Sequence, residues 1–247
     1  MTFPGDALLL VGHGSSRHPD AARPLLGHAA ALLADGAVAE AAVGLLRGTP
    51  DAASALAGLT APLIHIVPFF MEDGWFTRTA VPAALGLTGP WTDRGPRRLH
   101  YCPPVGPHPG LATLIERRTL QAVADPADCT LVLVGHGSSR RPGRRLALHA
   151  HQATLLATRR FAAVLTACLE EPPFLPAVLA GVPAGPVAVI GLFAGEGGHV
   201  REDLPGLLSS ARVQRGAALI DLGTVGDDPL MRGIILDQMA PGMAAAG

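Results

Sequence analysis

The chain contains no lysine; all 19 of its basic side chains are arginine. That absence removes the lysine of a phosphate-binding P-loop and any Schiff-base lysine. Cysteine is scarce too. Cys102, Cys129 and Cys168 stand far apart and make no Cys-x-x-Cys pair, so neither a thiolate zinc site nor a disulfide framework is supported, and a reduced cytoplasm is the expected setting. Neither sign of charge is in excess. With a formal net charge of −1 there is no electrostatic case for nucleic acid or an anionic membrane as partner. No apolar run approaches the roughly 18 residues of a membrane span. The start, MTFPGDALLLVGHG, has no basic segment and only the short run ALLLV, so a signal peptide is not expected.

What is present is a core-forming composition, 49% hydrophobic and 16% charged over 247 residues, suited to one large or two small globular domains. The chain also repeats itself. LLLVGHGSSRHP (Leu8 to Pro19) returns as LVLVGHGSSRRP (Leu131 to Pro142), an offset of 123 residues. The same offset lays Gly44–Pro50 over Ala167–Pro173, and Val67–Pro82 over Ile190–Pro205. PVGPHPGL (Pro104 to Leu111) matches TVGDDPLM (Thr224 to Met231) at an offset of 120. Four anchors in one order mean a duplicated domain, with copies at 1–124 and 125–247. Each copy alternates short continuous apolar runs with stretches of helical spacing. That pattern predicts two tandem α/β domains, each a four-stranded parallel sheet flanked by helices. All four anchors fall at strand carboxyl ends, where such sheets gather ligands.

In GHGSS a histidine lies between glycines that permit a sharp turn and close approach to a ligand. The serines (Ser15 in the first copy, Ser138 and Ser139 in the second) are placed to cap the next helix and hold an anion. The copies then diverge. His136 repeats His13, but Glu170 stands where the first copy has Arg47, and His199 where it has Phe76. The second copy thus carries His, Glu and His at three successive strand ends, a set able to bind a first-row divalent metal with positions left open. Arg140, Arg141, Arg144 and Arg145 follow directly and suit carboxylate or phosphate groups; a solvated basic loop is the plainer reading. His28, His149 and His151 read as surface or packed helical residues. His65, inside an apolar strand, reads as a satisfied core residue. His108 starts a helix and is placed to face a cleft.

LVLVGHGSS, CLEEPPFL and LFAGEGGHVREDLP together resemble the class II tetrapyrrole chelatases, specifically the sirohydrochlorin chelatases in their long two-domain CbiX-like form. The resemblance spans essentially the whole chain, and GHVREDLP is its most specific piece. It implies two similar domains facing each other across a cleft that holds sirohydrochlorin, a carboxylate-rich isobacteriochlorin. The implied activity is insertion of Co²⁺, or Fe²⁺, for cobalamin or siroheme synthesis. The metal is a substrate, no organic cofactor is implied, and a monomer suffices. The family's metal-handling residues map onto His136, Glu170 and His199, with Glu171 an adjacent rival for Glu170. Some two-domain relatives keep this set in the first copy; Arg47 and Phe76 depart from that pattern. His13 is then a retained turn residue or a helper, and Trp75 and Phe76 an apolar wall for the macrocycle. Two other readings stand beside this one. Phosphohistidine sites read RHG, whereas valine and glycine precede the histidine here. A metal carrier or sensor would use the same three ligands without catalysis.

Overall fold

The computed structural model describes residues 1–15, 18–138, 145–195, 197, 202–215 and 218–240. Ala7, Leu8, Leu9, Leu10 and Val11 are all fully buried, although successive strand side chains point to opposite faces. Both faces of β1 (Phe3–Gly12) therefore need a covering layer, which is the condition of a parallel α/β sheet. β1 pairs in parallel with β2 (Val38–Leu45) and β3 (Leu63–Pro68). A hairpin of β4 (Trp91–Arg94) and β5 (Arg97–Tyr101) completes the first sheet, β5 lying parallel to β3. The order is β2-β1-β3-β5-β4.

The first sheet thus departs from the expected four parallel strands by one antiparallel edge strand. β4 reads WTDR, with only Thr92 buried, so it has no apolar run to announce it. It forms because a two-residue Gly95-Pro96 turn folds it back on β5. The second sheet has the expected four strands, all parallel: β6 (Thr130–Gly135), β7 (Ala163–Cys168), β8 (Val187–Gly191) and β9 (Leu219–Thr224) in the order β7-β6-β8-β9.

On one face of the first sheet, α2 (Ala52–Ala57) and α3 (Val81–Leu85) pack against Ala7, Leu9, Val11 and Ile66. The alternate residues Leu8 and Leu10 face the other way, where α1 (Arg23–Ala34) packs on β1 and β2. In the second sheet α6 (Leu175–Gly181) and α7 (Leu204–Arg215) cover Val132 and Val134, while α5 (Leu146–Ala157) packs on β6 and β7. The last helix of each copy is exchanged. α4 (Gly110–Ala122) packs with α5 and β9, and α8 (Met231–Met239) with β3 and α1. One compact unit accordingly holds β1 to β5, α1 to α3 and α8; the other holds α4 to α7 and β6 to β9. Each compact unit thus takes its last helix from the other half of the sequence.

Each exchanged helix is tied by the same hydrogen bond. Gln238 Nε2 donates to the Pro104 carbonyl at 2.7 Å, and Arg118 Nη1 donates to the Thr224 carbonyl at 2.6 Å. The offset of 120 relates Arg118 to Gln238 and Pro104 to Thr224, so one tie is made twice with different donors. Among the described residues no helix is long and apolar enough to cross a membrane.

Gln238→Ala and Arg118→Ala each remove one of these ties and leave a carbonyl without its donor. Each is expected to cost about 1–2 kcal/mol, read as a lower urea midpoint at unchanged slope. Arg117→Ala, on the exposed side of α4, is expected to leave the midpoint in place.

Candidate functional site

In each sheet the chain leaves the first strand on one side, returns, and crosses to the other. The carboxyl ends of β1 and β3, and of β6 and β8, flank these switch points, where open α/β sheets bind ligands. Both GHGSS loops begin there. The glycine before each histidine makes room for a helix: a Cβ on Gly12 would meet Leu25 Cδ2 at 2.7 Å, and one on Gly135 would meet Leu148 Cδ2 at 3.2 Å. The glycine after each histidine turns the chain through left-handed backbone, with φ of 70° at Gly14 and 75° at Gly137. A Cβ there would lie 2.0 Å from the Arg47 carbonyl oxygen in the first copy and 2.7 Å from Glu171 Cγ in the second.

This close approach lets the loop after the second strand of each sheet bond to the histidine itself. The Arg47 amide donates to the His13 carbonyl at 2.8 Å, and the Glu170 amide donates to the His136 carbonyl at 2.9 Å. The backbone thus brings Glu170 beside His136, with Oε2 3.7 Å from Nδ1. His136 Nδ1 also lies 3.0 Å from the Gly137 carbonyl. A carbonyl only accepts, so Nδ1 donates in this contact and Nε2 is the nitrogen left to bind an ion. Both side chains are partly exposed. His199 lies outside the described residues, as do Ser139, Arg140, Arg141 and Arg144.

The neighbouring carboxylate has a different place. Glu171 is 3% exposed, and its Oε1 lies 3.2 Å from Arg145 Nε. Arg145 Nη1 also approaches Cys168 Sγ at 3.5 Å. The sequence groups Arg145 with the arginines that would meet substrate carboxylates; in the structure its guanidinium is held inside by Glu171. Ser15 and Ser138 do not cap α1 and α5 either. Ser15 Oγ accepts from the His18 amide at 3.1 Å and closes a local turn, while α1 begins only at Arg23 with Ala22 at its N-cap. Ser138 lies partly buried in its loop, and α5 begins after Arg145 with no side-chain cap. α1 and α5 both start well downstream of Ser15 and Ser138, which leaves these two serines out of reach of their first turns.

In the first unit His13 meets an aromatic cluster. Its ring stands edge-to-face with Phe76 at 4.7 Å; Phe76 stacks on Phe70 at 5.7 Å and takes Trp75 edge-on at 5.2 Å. Trp75 and Phe76 are exposed. Their loop is fixed by Asp73, which accepts from Thr77 Oγ1 at 2.6 Å and from Arg78 Nε and Nη2 at 3.0 and 2.7 Å. His108 is not at a surface: it is buried 3.9 Å from Asp237. Desolvation lowers its pKa against the opposing pull of that carboxylate. Sequence reasoning passed over Glu202 and Asp203, which line an open depression with Glu170, Leu207 and Ser210. Asp203 lies in the GHVREDLP segment, which was the available signal.

Arg145→Ala removes the guanidinium that lies 3.2 Å from the buried Glu171 carboxylate. A loss of about 3 kcal/mol is expected, measured by chemical denaturation. Combining it with Glu171→Leu, which removes the stranded charge, is expected to recover a large part of that loss.

The CbiX family model matches this chain twice, over residues 7–122 and 130–241. A Halobacterium salinarum protein described as a probable sirohydrochlorin cobaltochelatase is 27% identical over 271 residues, covering 98% of this chain and 93% of its own. The CbiX described as the terminal enzyme of siroheme biosynthesis in denitrifying bacteria superposes with a TM-score of 0.70 at 26% identity, over 94% of this chain and 97% of its own. A multi-domain Deinococcus radiodurans protein with structural similarity to chelatases gives a TM-score of 0.81 at 29% identity, over 98% of this chain. The match spans 56% of that longer protein, which has two additional domains.

Proposed function

Because the chain belongs to the CbiX family of class II chelatases, we propose that it inserts a divalent metal into sirohydrochlorin, with Co²⁺ the preferred ion and Fe²⁺ the second. Insertion replaces two pyrrole N–H protons by one M²⁺, so the site must hold an ion loosely and accept protons beside it. His136 and His199 deliver the metal and take up protons, since an imidazole nitrogen can serve as ligand or as proton acceptor. Glu170 completes the ligand set and offsets charge. Oxygen and nitrogen ligands with open positions suit transfer, whereas a closed four-ligand cage retains its ion.

The observation that carries this reading is the backbone hydrogen bond that sets Glu170 beside His136 at 3.7 Å. The first copy supports adding His199. The residue at its repeat position, Phe76, lies against His13, the repeat partner of His136. Glu202 and Asp203 add negative potential around Glu170. Arg140, Arg141 and Arg144, with Ser138 and Ser139, meet the carboxylates of the macrocycle. Cobalt is placed first because the halobacterial relative, described as a cobaltochelatase, aligns along nearly the whole of both chains. Iron is second because the siroheme-pathway CbiX is similar to almost the same degree.

The test is anaerobic absorbance of sirohydrochlorin with purified protein and Co²⁺, Fe²⁺ or Ni²⁺, each against an enzyme-free control. Acceleration is expected with Co²⁺ above Fe²⁺. His199→Ala is expected to abolish insertion in a folded protein, and His136→Ala to lower the rate by about 10²- to 10⁴-fold, the usual worth of a positioned acid–base group. Near-normal turnover by His199→Ala would remove that residue from the site. Folded wild-type protein that binds metal without accelerating insertion would be a carrier instead.

A further inference from the structure

Away from the strand-end loops, the first unit gathers two imidazoles and a thiol inside its core. His65 on β3 and His100 on β5 are direct cross-strand neighbours, and Cys102 follows two residues later on the same face. Each is 5% exposed or less. His65 Nδ1 lies 3.0 Å from His100 Nδ1, and His100 Nδ1 lies 3.5 Å from Cys102 Sγ. All three ligand atoms fall within 4.8 Å of one another. The other nitrogen of His65, Nε2, lies 3.0 Å from Asp6 Oδ2. A carboxylate accepts that proton, so Nδ1 turns its lone pair into the cluster. A carboxylate behind an imidazole is the arrangement that fixes the tautomer of a metal-binding histidine.

We propose that His65 Nδ1, His100 Nδ1 and Cys102 Sγ form a buried site for a zinc-class divalent ion, sharing no residue with the strand-end set. The spacing fits. On one tetrahedral zinc, two nitrogens stand about 3.3 Å apart and a nitrogen and a sulfur about 3.6 Å apart. The protein holds the nitrogen pair at 3.0 Å and His100 Nδ1 and Cys102 Sγ at 3.5 Å, with all three atoms within 4.8 Å of one another, so seating an ion draws the three donors around one point. The donors also fit, because imidazole with thiolate suits borderline ions and not magnesium or calcium. In the metal-free protein the two Nδ1 atoms share the proton of His100. On binding, that proton moves to His100 Nε2, the Cys102 thiol loses its proton to solvent, and the ion bonds the three freed lone pairs. One proton leaves per ion bound. Trp91, on the edge strand β4, stacks on the His100 ring at 4.1 Å and covers it. A bound ion ties β3 to β5 and holds that edge of the sheet in register.

The protein, stripped with a chelator, is titrated anaerobically with Co²⁺ as an optical probe. The expected result is a thiolate-to-cobalt charge-transfer band in the near ultraviolet that saturates at one ion per chain and is displaced by Zn²⁺. It persists in His136→Ala and disappears in Cys102→Ser. No such band at saturating Co²⁺, or a band that survives Cys102→Ser, overturns the proposal. If Cys102→Ser does not fold, X-ray absorption of the His136→Ala protein carrying one zinc decides the matter. A sulfur neighbour at about 2.3 Å supports the site; oxygen and nitrogen neighbours alone overturn it.

Discussion

The hydrogen bond from the amide after the second strand to the histidine carbonyl after the first organises each unit's working end. It is made twice, by Arg47 to His13 and by Glu170 to His136. It requires the two loops to lie so close that Gly14 and Gly137 have no room for a Cβ. Both glycines also sit at positive φ, where a side chain would be strained. Whatever residue carries the donating amide is delivered beside the imidazole. The geometry belongs to the backbone, which leaves the chemistry of the delivered side chain open to change.

That separation explains how two copies of one frame came to differ. In the second copy the delivered residue is Glu170, whose carboxylate attracts a metal cation. In the first it is Arg47, whose charge repels one. Phe76 then packs against His13 and links it to Phe70 and Trp75, giving that strand end an aromatic face in place of a polar one. The offset of 120 shows the same economy elsewhere. Arg118 and Gln238 differ in charge and length, yet each donates to the equivalent carbonyl of the other copy. Position is retained wherever it serves packing, and side-chain identity varies where any donor suffices.

The features that read directly from the sequence are those written into neighbouring residues. ALLLV and TLVLV announce strands buried on both faces, and GHG announces a tight turn. The repeat made Glu170 and His199 visible as departures from Arg47 and Phe76. Features built from distant residues were not legible. β4 has one buried side chain in four. The exchange of α4 and α8 leaves their own periodicity unchanged, because an apolar face looks the same whichever sheet it covers. Arg145 reads as one more arginine in a basic loop until Glu171 is seen beneath it. His65 reads as a core residue and is one. Its neighbours His100 and Cys102 come from another strand, so no local spacing could have joined them.

The two proposed sets of metal ligands differ in the properties that decide how long an ion would stay. His136 and Glu170 are partly exposed and offer nitrogen and oxygen, donors that release a first-row ion when a better ligand arrives. His65, His100 and Cys102 are buried and include a thiol. Thiolate binds borderline and soft ions strongly, and burial slows the exchange of ligands with water. A thiolate at the strand ends would compete with the macrocycle for its own substrate, since affinities at such sites rise with ligand softness and not with the need of the reaction. Among the described residues all three cysteines are buried, and none reaches the surface beside His136. A protein that passes one metal on and holds another would need the two ligand sets kept chemically unlike, and this chain keeps its thiols inside, away from the partly exposed His136 and Glu170.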